Sequence, residues 1–127
     1  MVYLDSSAIV KLVQHEAESA ALRHFLRDRV VRVSCALART EVLRAVAAGG
    51  PEVRERAHRV VVSLDLIALD DALLDAAGDL PGEVRSLDAI HVAAAQALGQ
   101  DLECLVTYDR RMATAAAVVG MRIADPA

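Results

Sequence analysis

Short apolar runs alternate along the chain with longer segments in which apolar residues recur at helical spacing. The runs of strand character cover residues 2–4, 30–33, 64–69, 104–106 and 121–123,. After the first run, Ser6 and Ser7 are suitable caps for a helix that follows Asp5,. The pattern therefore predicts strands that alternate with helices over the whole length.

Turn residues mark where the predicted helices begin and end. Gly49, Gly50 and Pro51 end one helix and begin the next, which predicts a helix hairpin,. Further helix starts are predicted at Asp70 and Asp71, at Ser86 and at Asp109, and the alanine-rich helix from Ser86 is expected to extend to Gly99,.

This alternation is typical of an α/β domain with a parallel sheet of about five strands covered by helices on both faces. With 127 residues and no linker or repeat, residues 1–127 are expected to form one domain,. Ligands of such sheets bind beyond the carboxyl ends of the strands, where the strand order reverses. Functional residues are therefore expected at that edge.

Composition narrows the class of protein. Apolar residues make up 55% of the sequence, yet no apolar run approaches the roughly 20 residues that span a bilayer,. The first residues lack the basic and apolar regions of a secretory signal, so we expect a cytoplasmic protein without a membrane segment,. Cys35 and Cys104 lie in apolar segments without CxxC spacing, which indicates buried free thiols,.

Charge limits how the chain binds nucleic acid. The formal net charge is −4, so any contact with nucleic acid must be local rather than a global attraction,. Arginines crowd residues 39–59, and Arg54, Arg56 and Arg59 are candidates for phosphate contacts because a guanidinium binds two oxygens at once,. The alternative is that they form a solvated helix face.

Four acids stand where they can meet at the carboxyl edge of the sheet. Asp5 follows the first predicted strand and Asp109 follows the fourth, while Glu41 and Asp88 lie on largely apolar helices. Carboxylates brought together repel, so they take up protons or hold a cation. Oxygen ligands suit Mg²⁺ or Mn²⁺, which also accept phosphate oxygens. The pattern indicates phosphoryl chemistry.

Each acid taken singly also has a structural explanation. Asp5 and Asp109 could be helix caps, Asp88 a first-turn acid favoured by the helix dipole, and Glu41 a surface partner of Arg44,. His91, three residues after Asp88, is expected to be a buried structural histidine rather than a catalytic one.

Several segments resemble the PIN-domain nucleases, specifically the VapC toxins of bacterial toxin–antitoxin pairs. They are DSSAIVKL from Asp5, the pair Thr40–Glu41, RSLDAIHVAAA from Arg85, TYDRRM from Thr107 and the closing AAAVVGMRIADP. The resemblance covers essentially the whole chain and implies a three-layer α/β/α PIN-like fold. It also implies that Mg²⁺ or Mn²⁺ is bound by Asp5, Glu41, Asp88 and Asp109, here called the four-acid set. Ser6 or Ser7 and Thr107 match positions that support the acids or a bound water.

The resemblance implies a metal-dependent ribonuclease that acts as a toxin. Its expected partners are RNA, with Arg54, Arg56 and Arg59 as candidate contacts, a VapB-type antitoxin and a second copy of the chain.

Three alternatives remain at this point. A receiver-type phosphorylation domain also gathers acids at a sheet edge, but it needs a lysine after a late strand, and Lys11 is in the first helix. A phosphatase with an aspartate nucleophile would carry a DxD pair where this chain has Asp5, Ser6 and Ser7. An inactive interaction module on the same fold is disfavoured because all four acids are present.

Overall fold

A five-stranded parallel sheet lies between two layers of helices in the computed structural model, which describes residues 1–127. The strands are β1 (Val2–Leu4), β2 (Arg32–Cys35), β3 (Asp65–Ile67), β4 (Cys104–Val106) and β5 (Ile123–Ala124). The helices are α1 (Ser6–Val13), α2 (Ser19–Leu26), α3 (Ala38–Ala45), α4 (Pro51–Val62), α5 (Asp71–Gly78), α6 (Ser86–Gln96) and α7 (Arg110–Val118). The predicted alternation of strands and helices is confirmed.

The strand order places β1 at the centre of the sheet. The order is β3-β2-β1-β4-β5, and Tyr3 of β1 is in register with Val33 on one side and Leu105 on the other. The chain winds from β1 outward to β3 and then crosses to β4, so the strand order reverses between β1 and β4. The crevice at their carboxyl ends is the expected place for a ligand.

Both faces of the sheet are buried. Alternate residues of β1 point to opposite helix layers. Val2 and Leu4 pack in a core with α1 to α4, whereas Tyr3 packs in a second core with α5 to α7. All three side chains are fully buried. This confirms the three-layer α/β/α architecture.

Three strands, β2, β3 and β5, begin later than predicted, and for β2 the side chains explain why. β2 starts at Arg32 and not at Val30, and the side chain of Val30 is 82% exposed. The guanidinium of Arg32 binds the carbonyls of Arg29 and Leu26, so a charged residue opens the strand, while Cys35 is buried at its end. β-Branched character predicted a strand here, but burial decided its bounds.

Smaller corrections concern helix ends. Asp5, and not Ser6 or Ser7, is the N-cap of α1, and its side chain accepts from the backbone N–H of Ala8. β5 starts at Ile123 rather than at residue 121, and α6 ends at Gln96, ahead of Gly99. The predicted cap at Asp70 is confirmed.

Two expectations from composition can be compared with the structure. Cys35 and Cys104 are buried free thiols, as predicted. None of the helices combines the length and the apolar character that crossing a bilayer requires.

Candidate active site

Asp5 lies directly after β1 and is buried, with 2% of its surface exposed. Its Oδ1 accepts from Ser7 Oγ at 2.6 Å and from the backbone N–H of Ala8 at 3.0 Å. Thr107 donates its hydroxyl to Oδ2, and Ser7 Oγ accepts in turn from the backbone N–H of Tyr108 at 2.9 Å. Burial raises the pKa of Asp5, and the hydrogen bonds from Ser7, Thr107 and Ala8 oppose that rise.

Thr107 joins Asp5 to Asp109 across the two central strands. Its side chain follows β4, is 2% exposed and accepts at Oγ1 from the backbone N–H of Asp109 at 3.1 Å. Asp109 is exposed and caps α7 by accepting from the backbone N–H of Arg111 at 2.9 Å. One hydroxyl therefore orients the buried acid and lies beside the exposed acid at the edge where the strand order reverses.

Glu41 reaches the same edge from α3. Its Oε1 accepts from Ser6 Oγ at 2.7 Å and lies 2.6 Å from Nε2 of His91. Burial alone would raise the pKa of Glu41, but the hydrogen bonds from His91 and Ser6 outweigh it and hold the pKa below its usual range. Arg44 makes no ion pair with Glu41, so the surface-partner alternative is wrong.

His91 is buried, as predicted, but its contacts could not be foreseen. Its Nδ1 lies 2.7 Å from the hydroxyl of Tyr3 on β1 and 3.7 Å from Sγ of Cys35, and the residue is 1% exposed. Burial opposes protonation of His91, yet Cys35 and Glu41 outweigh it and raise the pKa of His91 to about 10. Tyr3 thus contacts His91, which in turn contacts the carboxylate of Glu41.

Asp88 lies in the first turn of α6 and is partly buried. Burial raises its pKa, and the negative charge of Asp109 raises it further. Arg85 opposes this rise, whereas the charge of Glu41 adds to it. The charges of two other members of the four-acid set, Asp109 and Glu41, therefore raise the pKa of Asp88.

The four-acid set shares one edge but is not packed into a ready-made ion site. No three Asp, Glu, His or Cys side chains are grouped closely enough to hold a metal ion as they stand. Separate hydrogen bonds hold Asp5 and Glu41, and carboxylates of like charge repel one another,.

The chemistry of this donor set nevertheless fits a hard divalent cation. All four groups supply oxygen, and Mg²⁺ and Mn²⁺ prefer a few carboxylates together with water and phosphate oxygens. Asp5 is buried at a raised pKa without a cationic side chain hydrogen-bonded to it, which is the electrostatic situation that a cation relieves,.

The arginines singled out in the sequence lie on α4, which packs against α1 and α3. Arg56 donates to the carbonyl of Val13 at 2.9 Å, and Arg59 pairs with Glu55 at 3.1 Å. The cleft beside Asp88 is lined instead by other arginines, Arg85, Arg110 and Arg111. In the sequence, Arg85 lies three residues before Asp88, and Arg110 and Arg111 directly follow Asp109. This proximity to two of the acids could have identified them.

Comparisons with known proteins identify the family of the chain. The family model described as PIN domain matches residues 2–118, which include the four-acid set. The chain is 54% identical to Ribonuclease VapC46 of Mycobacterium tuberculosis, with 98% of this chain and 97% of the relative covered. It is 39% identical to Ribonuclease VapC35 of the same organism, with 99% and 97% covered.

A solved structure supports the fold. The crystal structure of Mycobacterium tuberculosis VapC20, described as a toxin that cleaves the sarcin–ricin loop, superposes with a TM-score of 0.74. The superposition covers 91% of this chain and 95% of that one at 13% sequence identity. At this identity the likeness concerns the fold alone.

Proposed function

This chain belongs to the PIN-domain family, as a ribonuclease of the VapC toxin type, and we propose that it hydrolyses RNA phosphodiester bonds with Mg²⁺ or Mn²⁺ bound by the four-acid set. The observation that carries the proposal is the hydroxyl of Thr107, which donates to Asp5 and accepts from the backbone N–H of Asp109. It brings two acids together from adjacent strands at the switch of strand order.

The side chains around the acids have distinct roles in this proposal. Ser7 and Thr107 fix the carboxylate of Asp5, while Ser6 and His91 fix that of Glu41. Asp5 and Asp109 are the first choice as direct ligands, and Asp88 and Glu41 complete the set. A bound divalent ion would lower the pKa of a water molecule and offset the charge that grows on the phosphate.

The receiver-domain alternative finds no support in the position of the single lysine. Lys11 lies on α1, and its Nζ is 2.8 Å from Glu18 and 3.4 Å from Glu16. Its Nζ also lies 4.7 Å from the ring centroid of Tyr108, which follows β4. The lysine is thus paired with two acids and belongs to the first helix, whereas a receiver domain needs a lysine that follows a late strand.

Cleavage should depend on a divalent metal ion. We expect the purified chain to cleave RNA in Mg²⁺ or Mn²⁺, to lose cleavage in excess EDTA and to regain it when metal is restored. The four acids supply only oxygen ligands, so activation of the hydrolytic water depends on a bound cation. Gel analysis of a labelled total RNA preparation is the measurement. Undiminished cleavage in EDTA would contradict the proposal, and no cleavage under any metal would favour the inactive module.

The RNA target is a separate question that the site chemistry does not answer. Mapping of 5′ ends in total RNA after brief expression would identify it. An Asp109→Ala variant, expressed to the same level, is the control for cleavage by other nucleases.

We also propose that the chain forms a homodimer in the cytoplasm and binds a VapB-type antitoxin. The support is the number of large apolar side chains that stay exposed on so small a protein. They include Val30, Val62, Leu74, Leu87 and Val118. Light scattering of the purified chain should give twice the mass of 13.5 kDa, and coexpression with its antitoxin should suppress cleavage. A monomer that no neighbouring gene product inhibits would contradict both parts.

Arg54, Arg56 and Arg59 remain candidates for RNA contacts within this proposal. All three are exposed on α4, although Arg56 and Arg59 also have the intramolecular partners described above.

A further inference from the structure

A basic cleft lies beside Asp88, between the start of α6 and α7. Its volume is about 670 Å³, and its charged lining residues are three arginines and two acids, Arg85, Arg110, Arg111, Glu83 and Asp88. Val84 and Val118 are among its apolar lining residues. Clefts of about 300–1,000 Å³ are typical of ligand sites. Asp88 is the member of the four-acid set that lines the cleft, whereas Asp5 and Glu41 do not line it, so the cleft adjoins the set at Asp88.

The three arginines of this cleft have no carboxylate partner. Some arginines elsewhere are engaged, as Arg29 is with Glu103, whereas others such as Arg44 have no side-chain partner. No side-chain hydrogen bond or ion pair holds the guanidinium of Arg85, Arg110 or Arg111, and all three residues are exposed and line one cleft. Their charge is available to a ligand.

Their placement is also unfavourable for folding. Arg110 and Arg111 occupy the first turn of α7, and Arg85 is the N-cap of α6. The N-terminal end of a helix carries partial positive charge, so cations are disfavoured there. No side chain caps α6, so its first backbone N–H groups have no side-chain acceptor,. Cations and free N–H groups together are suited to an anion.

We propose that this cleft binds the RNA strand next to the cleaved phosphodiester, with Arg110 and Arg111 contacting backbone phosphates. This inference rests on the proposed ribonuclease function, because Asp88 belongs to both the cleft and the four-acid set. A polyanion explains both the three exposed arginines and the free N–H groups, and apolar lining residues such as Val84 and Val118 suit the ribose and base surfaces. The chain has one Phe and two Tyr, so phosphate contacts carry more of the binding than stacking does,.

The test is RNA binding by the full chain in EDTA, measured by fluorescence anisotropy with a labelled single-stranded oligonucleotide over a range of salt concentrations. Each phosphate contact on a single strand contributes about 0.7 to the slope of log affinity against log salt. Replacing Arg110 and Arg111 with Gln should therefore reduce the slope by about 1.4 and weaken binding roughly 25-fold at 0.1 M salt. Lysine at both positions should retain the slope, because the charge is kept.

The matched control removes two arginines at the opposite edge of the sheet. Arg27 follows α2, and Arg122 precedes β5, so Arg27→Gln with Arg122→Gln changes the net charge equally. If this variant and the cleft variant flatten the slope to the same extent, only net charge matters and the proposal is overturned. It is also overturned if Gln at Arg54, Arg56 and Arg59 flattens the slope while the cleft variant does not.

Thermal melts exclude a trivial loss of fold. The cleft variant should melt no lower than wild type, because it removes cations from a helix N-terminus. RNA binding measured in EDTA does not depend on cleavage. If cleavage proved independent of metal, the proposed function would be contradicted, whereas this binding result would stand. Unchanged RNA binding together with lost binding of a glutamate-rich peptide would assign the cleft to a protein partner and overturn the proposal.

Discussion

Asp109→Ala should reduce RNA cleavage at least about 100-fold while the protein remains folded, since residues that merely support metal ligands already cost about 10- to 100-fold when replaced. Asp109 is exposed, and its structural contact is the cap of α7. Loss of an N-cap costs about 1 kcal/mol of stability. The large effect on activity is therefore not expected to come from unfolding.

Asp70→Ala is the matched control for this experiment. Asp70 is also exposed and caps α5 by accepting from the backbone N–H of Leu73 at 2.9 Å. Both variants lose one carboxylate and one cap, so their urea midpoints should fall by similar amounts, whereas only Asp109→Ala should lose cleavage. Equal activity of the two variants would show that Asp109 acts only as a helix cap.

Asp5 should behave differently in the same assay. Asp5→Ala should lose cleavage too, but it also leaves the buried hydroxyl of Thr107 without its acceptor, and such a loss costs about 1–3 kcal/mol. Asp5→Asn keeps the size and one acceptor oxygen, so it separates loss of charge from loss of packing. We expect cleavage to be abolished in both variants and the melting temperature to fall further in Asp5→Ala.

Asp88→Asn should abolish cleavage and at the same time stabilise the metal-free protein at neutral pH. Burial and then the charge of Asp109 raise the pKa of Asp88 in the folded state. A raised folded pKa means that the ionised form opposes folding. This cost grows as pH rises through the unfolded pKa of about 3.9 and is complete above the folded pKa. The stabilisation should therefore be present near pH 7 and shrink in acid.

The expected gain in stability is small beside the loss of activity. Asp88 is partly exposed, so solvent screening keeps the gain below about 1 kcal/mol, which corresponds to less than roughly 4 °C in melting temperature,. Saturating Mg²⁺ should stabilise wild type more than the variant, because a ligand of the folded state adds stability according to its affinity. Thermal melts at pH 7 and pH 4, with EDTA or Mg²⁺, measure both effects. A variant less stable than wild type in EDTA at pH 7 would identify Asp88 as a satisfied structural acid.

Much of the fold was predictable from the sequence, because the information for it is local or periodic. Alternating strands and helices, the cap at Asp70 and the fourth strand at residues 104–106 follow from patterns over a few residues,. The positions of Asp5 and Asp109 after strands also follow, since the carboxyl ends of parallel strands share an edge. Burial of His91 was predictable from the apolar helix that carries it.

Contacts between distant segments were decided by the tertiary structure alone. His91 meets Tyr3, 88 residues away, and Glu41, 50 residues away, because α6 and α3 lie on opposite faces of the sheet and meet at its edge. The bounds of β2 depend on which of its residues pair with β1 and β3. Val30 lies before the paired residues, and its side chain is exposed. Likewise, the cleft with Arg85 and Arg110 exists only where α6 and α7 pack together. Periodicity describes the face of one element, whereas pairing partners depend on the order in which strands assemble, which no local pattern contains.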